Sequence, residues 1–306
     1  MDRKELFSVV IPAYNRERTV GRSIKSVLNQ TYQKLQVVVV DDGSKDGTKD
    51  AVSEYLSDNR VAYVYQENGG AQKARNTGLR RAEGEYILFL DSDDELLPQC
   101  LEKMVQLYNC DDTVGAVYCL AGVRKKGQLK PMRKDHLQGN IFKEVLEQGY
   151  LTSSSFISMR RAVFDVIGEW DITFPASQDD DICFRIAKKY KIGFLNEILG
   201  IYYFDAGKGM QISSSPVRVA NGWWLLWNKY EEDVVRECGI STARKHFTKC
   251  AYRYKKCGES GKYKLCCEKV KKYSNKIEYY TSVVKIYCMI VRDCIKRMAL
   301  YALNRR

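Results

Sequence analysis

The 306-residue chain is 45% hydrophobic with only 5 Pro, which excludes a disordered protein and leaves enough apolar material for a full α/β core. Its 11 Cys form no CxxC pair and only His136 and His246 accompany them, so reduced thiols in a cytoplasmic protein are expected rather than a zinc site. The net charge of +12 is unevenly placed: residues 215 to 306 hold 21 Lys and Arg against 8 Asp and Glu, whereas residues 1 to 214 hold 29 against 30.

"FSVVIPAY" (Phe7 to Tyr14) reads as a first buried strand, a short apolar run bounded by turn formers. Pro12 and Asn15 interrupt it too early for a signal peptide, and no apolar run in the chain approaches the roughly 20 residues that span a bilayer. In "TVGRSIKSVLNQ", Val20, Ile24, Val27 and Leu28 share one helical face. "KLQVVVVDDGS" holds a second strand, Leu35 to Val40, closed by Asp41 and Asp42. A helix over "DGTKDAVSEYLSD", a third strand at Val61 to Glu67 and a helix over "AQKARNTGLRRAEG", stopped by Gly84, follow. The fourth strand, Tyr86 to Leu90, ends in Asp91, Asp93 and Asp94. Strands alternating with helices predict a parallel sheet covered on both faces, with ligands beyond the carboxyl ends of its strands.

Past Pro98 the pattern loosens. A helix is expected over Gln99 to Tyr108, a strand in "VGAVYCLAGV" and a polar loop around "RKKGQLKPMRKD". "SSSFISMRRAVFDVIG" reads as a strand passing into a helix, and "DDDICFRIAKKY" as a further helix.

Carboxylates are costly to bury bare, so acids that close a strand must meet water, a cation or a ligand. Both acidic groups fall at strand ends, which points to one shared site. "DSD" at 91 to 93 offers hard oxygen ligands to a divalent cation, although a helix cap or a solvated turn uses the same residues. In "VVVVDDGSKDGT" a strand-ending Asp can accept hydrogen bonds from a base or ribose, with Gly43 and Gly47 allowing close approach. An ordinary turn capped by Ser44 explains Gly43 and Ser44 but not two adjacent carboxylates. "ENGGAQKARNTG" places Gly69 and Gly70 at a helix start, where backbone amides suit an anion and Lys73 and Arg75 add positive charge; a solvated basic face is the alternative. The order is not G-x-G-x-x-G, so the dinucleotide fingerprint is absent.

"SVVIPAYNRERTVGRSIKSVLNQTY", "VVVVDDGSKDGT", "NGGAQKARNTGLRRAEGEYILFLDSDD" and "QDDDICFRIA" occur in this order, and together they closely resemble the family 2 inverting glycosyltransferases of GT-A fold. The resemblance is strong over residues 6 to 98, looser to 214 and absent beyond. It implies an α/β, Rossmann-like, mostly parallel sheet flanked by helices, with a catalytic domain at 1–214 divided into a nucleotide-sugar half (1–98) and an acceptor half (99–214). By the same resemblance Pro12 and Tyr14 meet the nucleotide base, Asp42 binds the uracil, and Asn68 and Arg75 line the nucleotide and donor sugar. Asp91, Ser92 and Asp93 match the D-x-D motif, which implies Mn2+ or Mg2+ held by Asp93 with Asp91. The family's acidic pair precedes an Arg by six residues, so Arg185 points to Asp179 as the catalytic base, although Gln178 replaces the first acid and Asp180 and Asp181 follow. The implied reaction is one displacement: Asp179 removes the acceptor hydroxyl's proton while the metal and Arg75 offset charge on the leaving diphosphate. Relatives often carry a metal-binding His after a "YY" strand; "GIYYFDAGKGMQISSS" has none, leaving Asp205 or Lys208 as substitutes and the third ligand open.

The basic region 215–306 reads as mainly helical. Val283, Tyr287, Ile290, Val291, Cys294, Met298 and Tyr301 fall at three- and four-residue steps beside Lys285, Arg292, Lys296 and Arg297, which suits a helix on anionic lipid. Trp223, Trp224 and Trp227 are residues favoured at membrane interfaces. A helix packed on the catalytic domain is the alternative, and no nucleic-acid-reading motif accompanies the charge. The expected function is transfer of a sugar from a UDP-sugar to a lipid-linked or cell-surface glycan, by a cytoplasmic protein peripheral on the inner face of the cell membrane. A sugar-nucleotide-binding protein without turnover and a nucleotidyltransferase are the rivals, though "IPAYNRERT" lacks the Gly-rich phosphate loop of the latter. The sugar, the acceptor and the oligomeric state are not legible.

Overall fold

The computed structural model describes residues 5–125, 128–132, 137–204 and 215–303. They divide into two compact units, Met1–Thr173 with Gln178–Lys208, and Phe174–Ser177 with Gly209–Arg306.

In the first unit the chain runs β1 (Phe7–Ala13), α1 (Val20–Leu28), β2 (Leu35–Asp41), α2 (Thr48–Ser53), β3 (Val61–Tyr65), α3 (Ala71–Arg81) and β4 (Tyr86–Phe89). β1 lies between β2 and β4, β2 carries β3 on its other side, and every one of these pairs is parallel, as the alternation of strands and helices requires. β1 and β4 are fully buried, which is why they read as continuous apolar runs rather than alternating ones. Val20, Ile24 and Val27 of α1 are buried against this sheet. On α3, a Cβ at Gly78 would come within 2.2 Å of Val10 Cγ1, so only glycine lets the helix lie this close to β1.

Beyond β4 the sheet is mixed. A two-residue strand β5 (Glu95–Leu96), α4 (Cys100–Cys110), β6 (Val114–Lys125), β7 (Gln128–Pro131) and α5 (Phe142–Gln148) come first. Then follow a 3-10 turn (Ser154–Phe156), β8 (Ile157–Arg160), α6 (Arg161–Ile167), α7 (Gln178–Ala187) and β9 (Lys191–Ile201). The sheet order is β3-β2-β1-β4-β8-β6-β9-β5, with β7 paired to β6. β8 is antiparallel to both β4 and β6 while β9 runs parallel to β6, so the parallel expectation holds for the first four strands and for the β6–β9 pair. The polar stretch expected as a loop contains β7, which folds back on β6 as a hairpin. Its residues are mostly exposed, so no apolar alternation marked it as a strand.

The second unit is helical, as expected: α8 (Pro216–Lys229), α9 (Glu231–Cys238), α10 (Ile240–Lys256), α11 (Ser260–Lys272) and α12 (Lys276–Leu303). The tryptophans do not form an exposed belt. Trp227 is a core residue stacked 3.6 Å from the His246 ring, Trp223 lies beneath Arg253, and Trp224 meets Phe247 edge-on. The apolar stripe expected on α12 straddles two faces: Val283 and Ile290 are half-buried, while Tyr287, Val291, Cys294 and Met298 are exposed.

Candidate functional site

The two acidic strand ends have different surroundings. After β2, the Asp41 carboxylate accepts from the Ser44 amide (2.8 Å) and the Tyr63 hydroxyl (2.7 Å). The Asp42 carboxylate accepts from Gln66 Nε2 (2.6 Å) and from the amides of Gly69 (2.9 Å) and Gly70 (2.8 Å). The anion met by the Gly69–Gly70 amides is therefore Asp42, an internal group rather than a ligand. Asn68 Nδ2 donates to the Asp42 carbonyl, and Gly43, at φ 79°, sits where a Cβ would lie 2.8 Å from the Asn68 amide nitrogen. These contacts account for the pair of carboxylates that a turn alone did not explain.

Pro12 is buried near the end of β1, and Tyr14, just beyond it, is 41% exposed. The following Asn15 adopts a left-handed φ of 53°, a conformation that Asn tolerates. Its amide donates to Ser44 Oγ, its side chain accepts from the Lys45 amide, and the Arg16 amide donates to Thr48 Oγ1. The loops after β1 and β2 are thus clasped together at the ends of two adjacent strands.

After β4 the acids are drawn together and left partly unpaired. Asp91, Asp93 and Asp94 each offer a carboxylate oxygen, and these three lie within 4.8 Å of one another. Burial, then the Asp91 charge, pushes Asp93 up to about 6 against opposition from Arg16 and Arg22. Burial, again ahead of the Asp91 charge, drives Asp94 well above the ordinary carboxylate range. Asp94 Oδ1 accepts from the Tyr203 amide (3.2 Å), whereas Oδ2 is buried without a hydrogen-bond partner. Ser92, between the acids, is buried. Three crowded carboxylates with an orphaned buried oxygen fit a hard divalent cation, whose charge would relieve the repulsion.

α3 supplies the opposing charge. The Arg75 guanidinium, 3% exposed, donates to Asp91 Oδ1 (2.7 Å) and Ser154 Oγ (3.3 Å), and lies 4.8 Å over the Trp170 ring. Its Nε and its other terminal nitrogen are buried without partners. Asn76, one residue along, holds the Trp170 backbone by two 2.9 Å hydrogen bonds.

At the start of α7 the adjacent acids separate by environment. Arg185 pairs with the buried Asp181 (2.9 Å) and donates to the Ile167 carbonyl, which removes Asp181 from the acidic cluster. Asp179 has a buried, unpartnered Oδ1. Burial raises its carboxyl, Arg75 draws it back, Asp91 raises it further, and hydrogen bonds from Ser154 lower it. Asp179 is thus electrostatically coupled to both Arg75 and Asp91.

The sequence reading placed Asp94 in the acidic cluster but not among the cation ligands, and it missed Ser154, Trp170 and the Tyr203 amide. Asp94 was visible in "DSDD", but Ser154 and Trp170 carry no signal before β8 and α6 bring them to α3. Asp205 and Lys208 lie outside the described residues.

Comparison with known proteins places this architecture. The family model "Glycosyl transferase family 2" matches residues 8–168, more than half of the chain. This chain belongs to glycosyl transferase family 2. Glycosyltransferase GlyA of Streptococcus pneumoniae serotype 4 is 30% identical over 195 residues, covering 62% of this chain and 27% of that protein. The putative teichuronic acid biosynthesis glycosyltransferase TuaG of Bacillus subtilis is 43% identical over 105 residues, 34% of this chain and 42% of TuaG. The chain spans less than half the length of each of these curated relatives. The crystal structure of S. aureus TarS 1–349 in complex with UDP-GlcNAc matches with a TM-score of 0.65 at 19% identity, covering 89% of this chain and 82% of that one. The family 2 chain has the GT-A fold, an α/β sheet flanked by helices with a helical C-terminal region.

Proposed function

We propose that this family 2 chain is an inverting, metal-dependent glycosyltransferase that moves a hexosyl or N-acetylhexosaminyl group from a UDP-sugar to an acceptor hydroxyl. The observation that carries the reading is the convergence of Asp91, Asp93 and Asp94 with the buried Arg75 and Asp179. UDP as the nucleotide is supported by the fold shared with TarS, which was solved with UDP-GlcNAc. A lipid-linked or cell-surface glycan acceptor of bacterial polysaccharide type is supported by the teichuronic acid role printed for TuaG.

In this reading residues 1–98 bind the nucleotide-sugar, 99–214 bind the acceptor, and 215–306 form a basic helical appendage. Pro12 and Tyr14 line the base with Asp42, which also fixes the Gly69–Gly70 turn. Asn68 and Ser92 complete the donor site. Asp93 and Asp91, joined by Asp94, would hold Mn2+ or Mg2+. Such a cation, when bound, neutralises charge on a diphosphate. Arg75 sets a fixed positive charge beside the same place, where little solvent screens it. Asp179 accepts the proton of the attacking hydroxyl; its raised carboxyl makes it a stronger base than an exposed Asp. No enzyme nucleophile is needed, and a single displacement inverts the anomeric centre. The protein is placed in the cytoplasm, peripheral on the inner face of the cell membrane through 215–306.

The deciding experiment is a UDP-release screen with UDP-glucose, UDP-galactose, UDP-GlcNAc and UDP-GalNAc, each with manganese and with EDTA. Slow hydrolysis of one donor, lost with EDTA and in Asp93→Ala, is expected. No release from any donor, together with no UDP binding by calorimetry, would overturn the reading. UDP binding that survives without turnover on any acceptor would favour a binding protein instead.

A further inference from the structure

Helix α12 packs against its own unit through one face. Ser282 and Ile286 are buried there, and Asp293 reaches Tyr252 and Lys256 of α10. The opposite face is apolar and largely exposed, with Tyr287 at its margin hydrogen-bonded to Tyr263 of α11. Ile277, Tyr280, Val284, Tyr287, Val291 and Met298 are each 48% exposed or more, and they recur at steps of three, four and seven residues. At 1.5 Å per residue this stripe runs for about 32 Å along the helix. Single exposed apolar residues are normal on a folded surface, but a continuous row of this length marks a surface that something covers.

The charges around the stripe say what covers it. Lys285, Arg292 and Lys296 form a column on one flank, whose centre, at about 100° per residue, lies about 120° around the helix from that of the apolar row. Lys255, from α10, stands 5.7 Å from the Tyr287 ring. The two acids of α12 are each held by a base of α10, Glu278 by Arg244 and Asp293 by Lys256, and only Asp293 also meets the column, through the charge of Lys296. The region 215–306 holds 21 Lys and Arg against 8 Asp and Glu. A second copy would bring the same positive charge to the contact, whereas an anionic surface would be attracted. No helix among the described residues is long and apolar enough to cross a membrane, which leaves α12 suited to lying in an interface rather than spanning it. Exposed tyrosines in the row suit the headgroup level.

We propose that the outward face of α12 lies flat on a membrane rich in anionic phospholipid. The stripe enters the boundary between headgroups and acyl chains, and the Lys285–Arg292–Lys296 column meets the lipid phosphates. This inference rests on the peripheral-membrane reading above and is independent of the transfer reaction.

The test is co-sedimentation of the full chain with phosphatidylcholine vesicles, with and without phosphatidylglycerol, at low and high salt. Binding to the phosphatidylglycerol vesicles alone, weakened by salt, is expected. Val284→Asp with Val291→Asp should reduce binding at least about tenfold, because the apolar row drives insertion. Lys285→Glu with Arg292→Glu should reduce it by roughly 25-fold or more, at about fivefold per basic residue near an anionic surface. All four positions are exposed, and unchanged thermal unfolding of each variant shows that loss of binding is not loss of fold. UDP release measured without vesicles should stay at the parent rate, so a failure of the transferase reading is seen separately. No binding to either vesicle overturns the proposal; dimerisation in sedimentation velocity, lost in Val284→Asp, would then assign the stripe to a second copy. Binding that survives both double substitutions overturns the assignment to α12.

Discussion

The ends of β2 and β4 carry the same sequence signature, an apolar strand running into carboxylates, yet they have opposite hydrogen-bond complements. Every carboxylate oxygen of Asp42 accepts a hydrogen bond from Gln66, Gly69 or Gly70, and Asp41 is likewise served by Ser44 and Tyr63. Around Asp91, Asp93 and Asp94 the carboxylates face one another, a buried oxygen of Asp94 has no partner, and Asp93 and Asp94 are held above their ordinary range. The first arrangement is what a carboxylate needs to support a loop. The second costs stability, and it persists where an external charge can complete it. An acidic strand end is therefore no indicator of a cation site until its internal donors have been counted.

Substitutions at these carboxylates should separate the two kinds sharply. The largest effect is expected at Asp179, on the incomplete side: Asp179→Asn should lower the turnover number by about 10²–10⁴ while donor binding by calorimetry is retained. A comparable loss of binding would mean that Asp179 positions the donor instead. Next in size, Asp42→Ala should cost roughly 2–4 kcal/mol in urea unfolding, since it leaves the Gly69 and Gly70 amides and Gln66 without their acceptor. A cost below about 0.5 kcal/mol would remove the contrast.

The helical unit contributes a third carboxylate of the satisfied kind. Burial raises Glu231, but hydrogen bonds from Lys269, Lys272 and Tyr273 outweigh it and bring the carboxyl down to about 2. A depressed carboxyl stabilises the fold above its unfolded value near 4.5 and loses that contribution as pH falls toward 2. Parent protein should therefore lose roughly 2 kcal/mol more than Glu231→Gln across that window, measured by unfolding at each pH. Smallest of all, Asp94→Asn should change stability by less than about 1 kcal/mol or raise it, because it removes a charge with an unpartnered buried oxygen. A large destabilisation there would mean that Asp94 supports the loop as Asp42 does.

Strands β1, β2 and β4 were legible because both faces of each are covered, so burial writes itself into unbroken apolar runs such as "SVVI" and "YILF", whereas β3, a half-exposed edge strand, was marked by its β-branched and aromatic residues. β7 was not, because an exposed hairpin strand needs no apolar alternation. At the site, Asp91, Asp93, Arg75 and Asp179 could be named from a resemblance, but what distinguishes Asp179 from Asp181 is the partner each one finds. Arg185 is four residues from Asp181 and one helical turn suffices to join them, whereas Ser154 reaches Asp179 only through tertiary folding. On α12 the periodicity was visible while the buried face was not, because apolar residues occur on both sides of the helix and only contact with α10 shows which side is covered.

One helix connects both acidic ends. α3 is fastened by Asp42 at the Gly69 and Gly70 amides and by Asp91 at Arg75. A rod held at two points can neither slide nor rotate, so the interval from Gly70 to Arg75 has a fixed length in residues. One inserted residue would turn Arg75 by about 100° and lift it by about 1.5 Å while the first fastening stayed intact. Point substitutions can accumulate on the solvent side of this segment, whereas an insertion or deletion within it would undo one of the two fastenings.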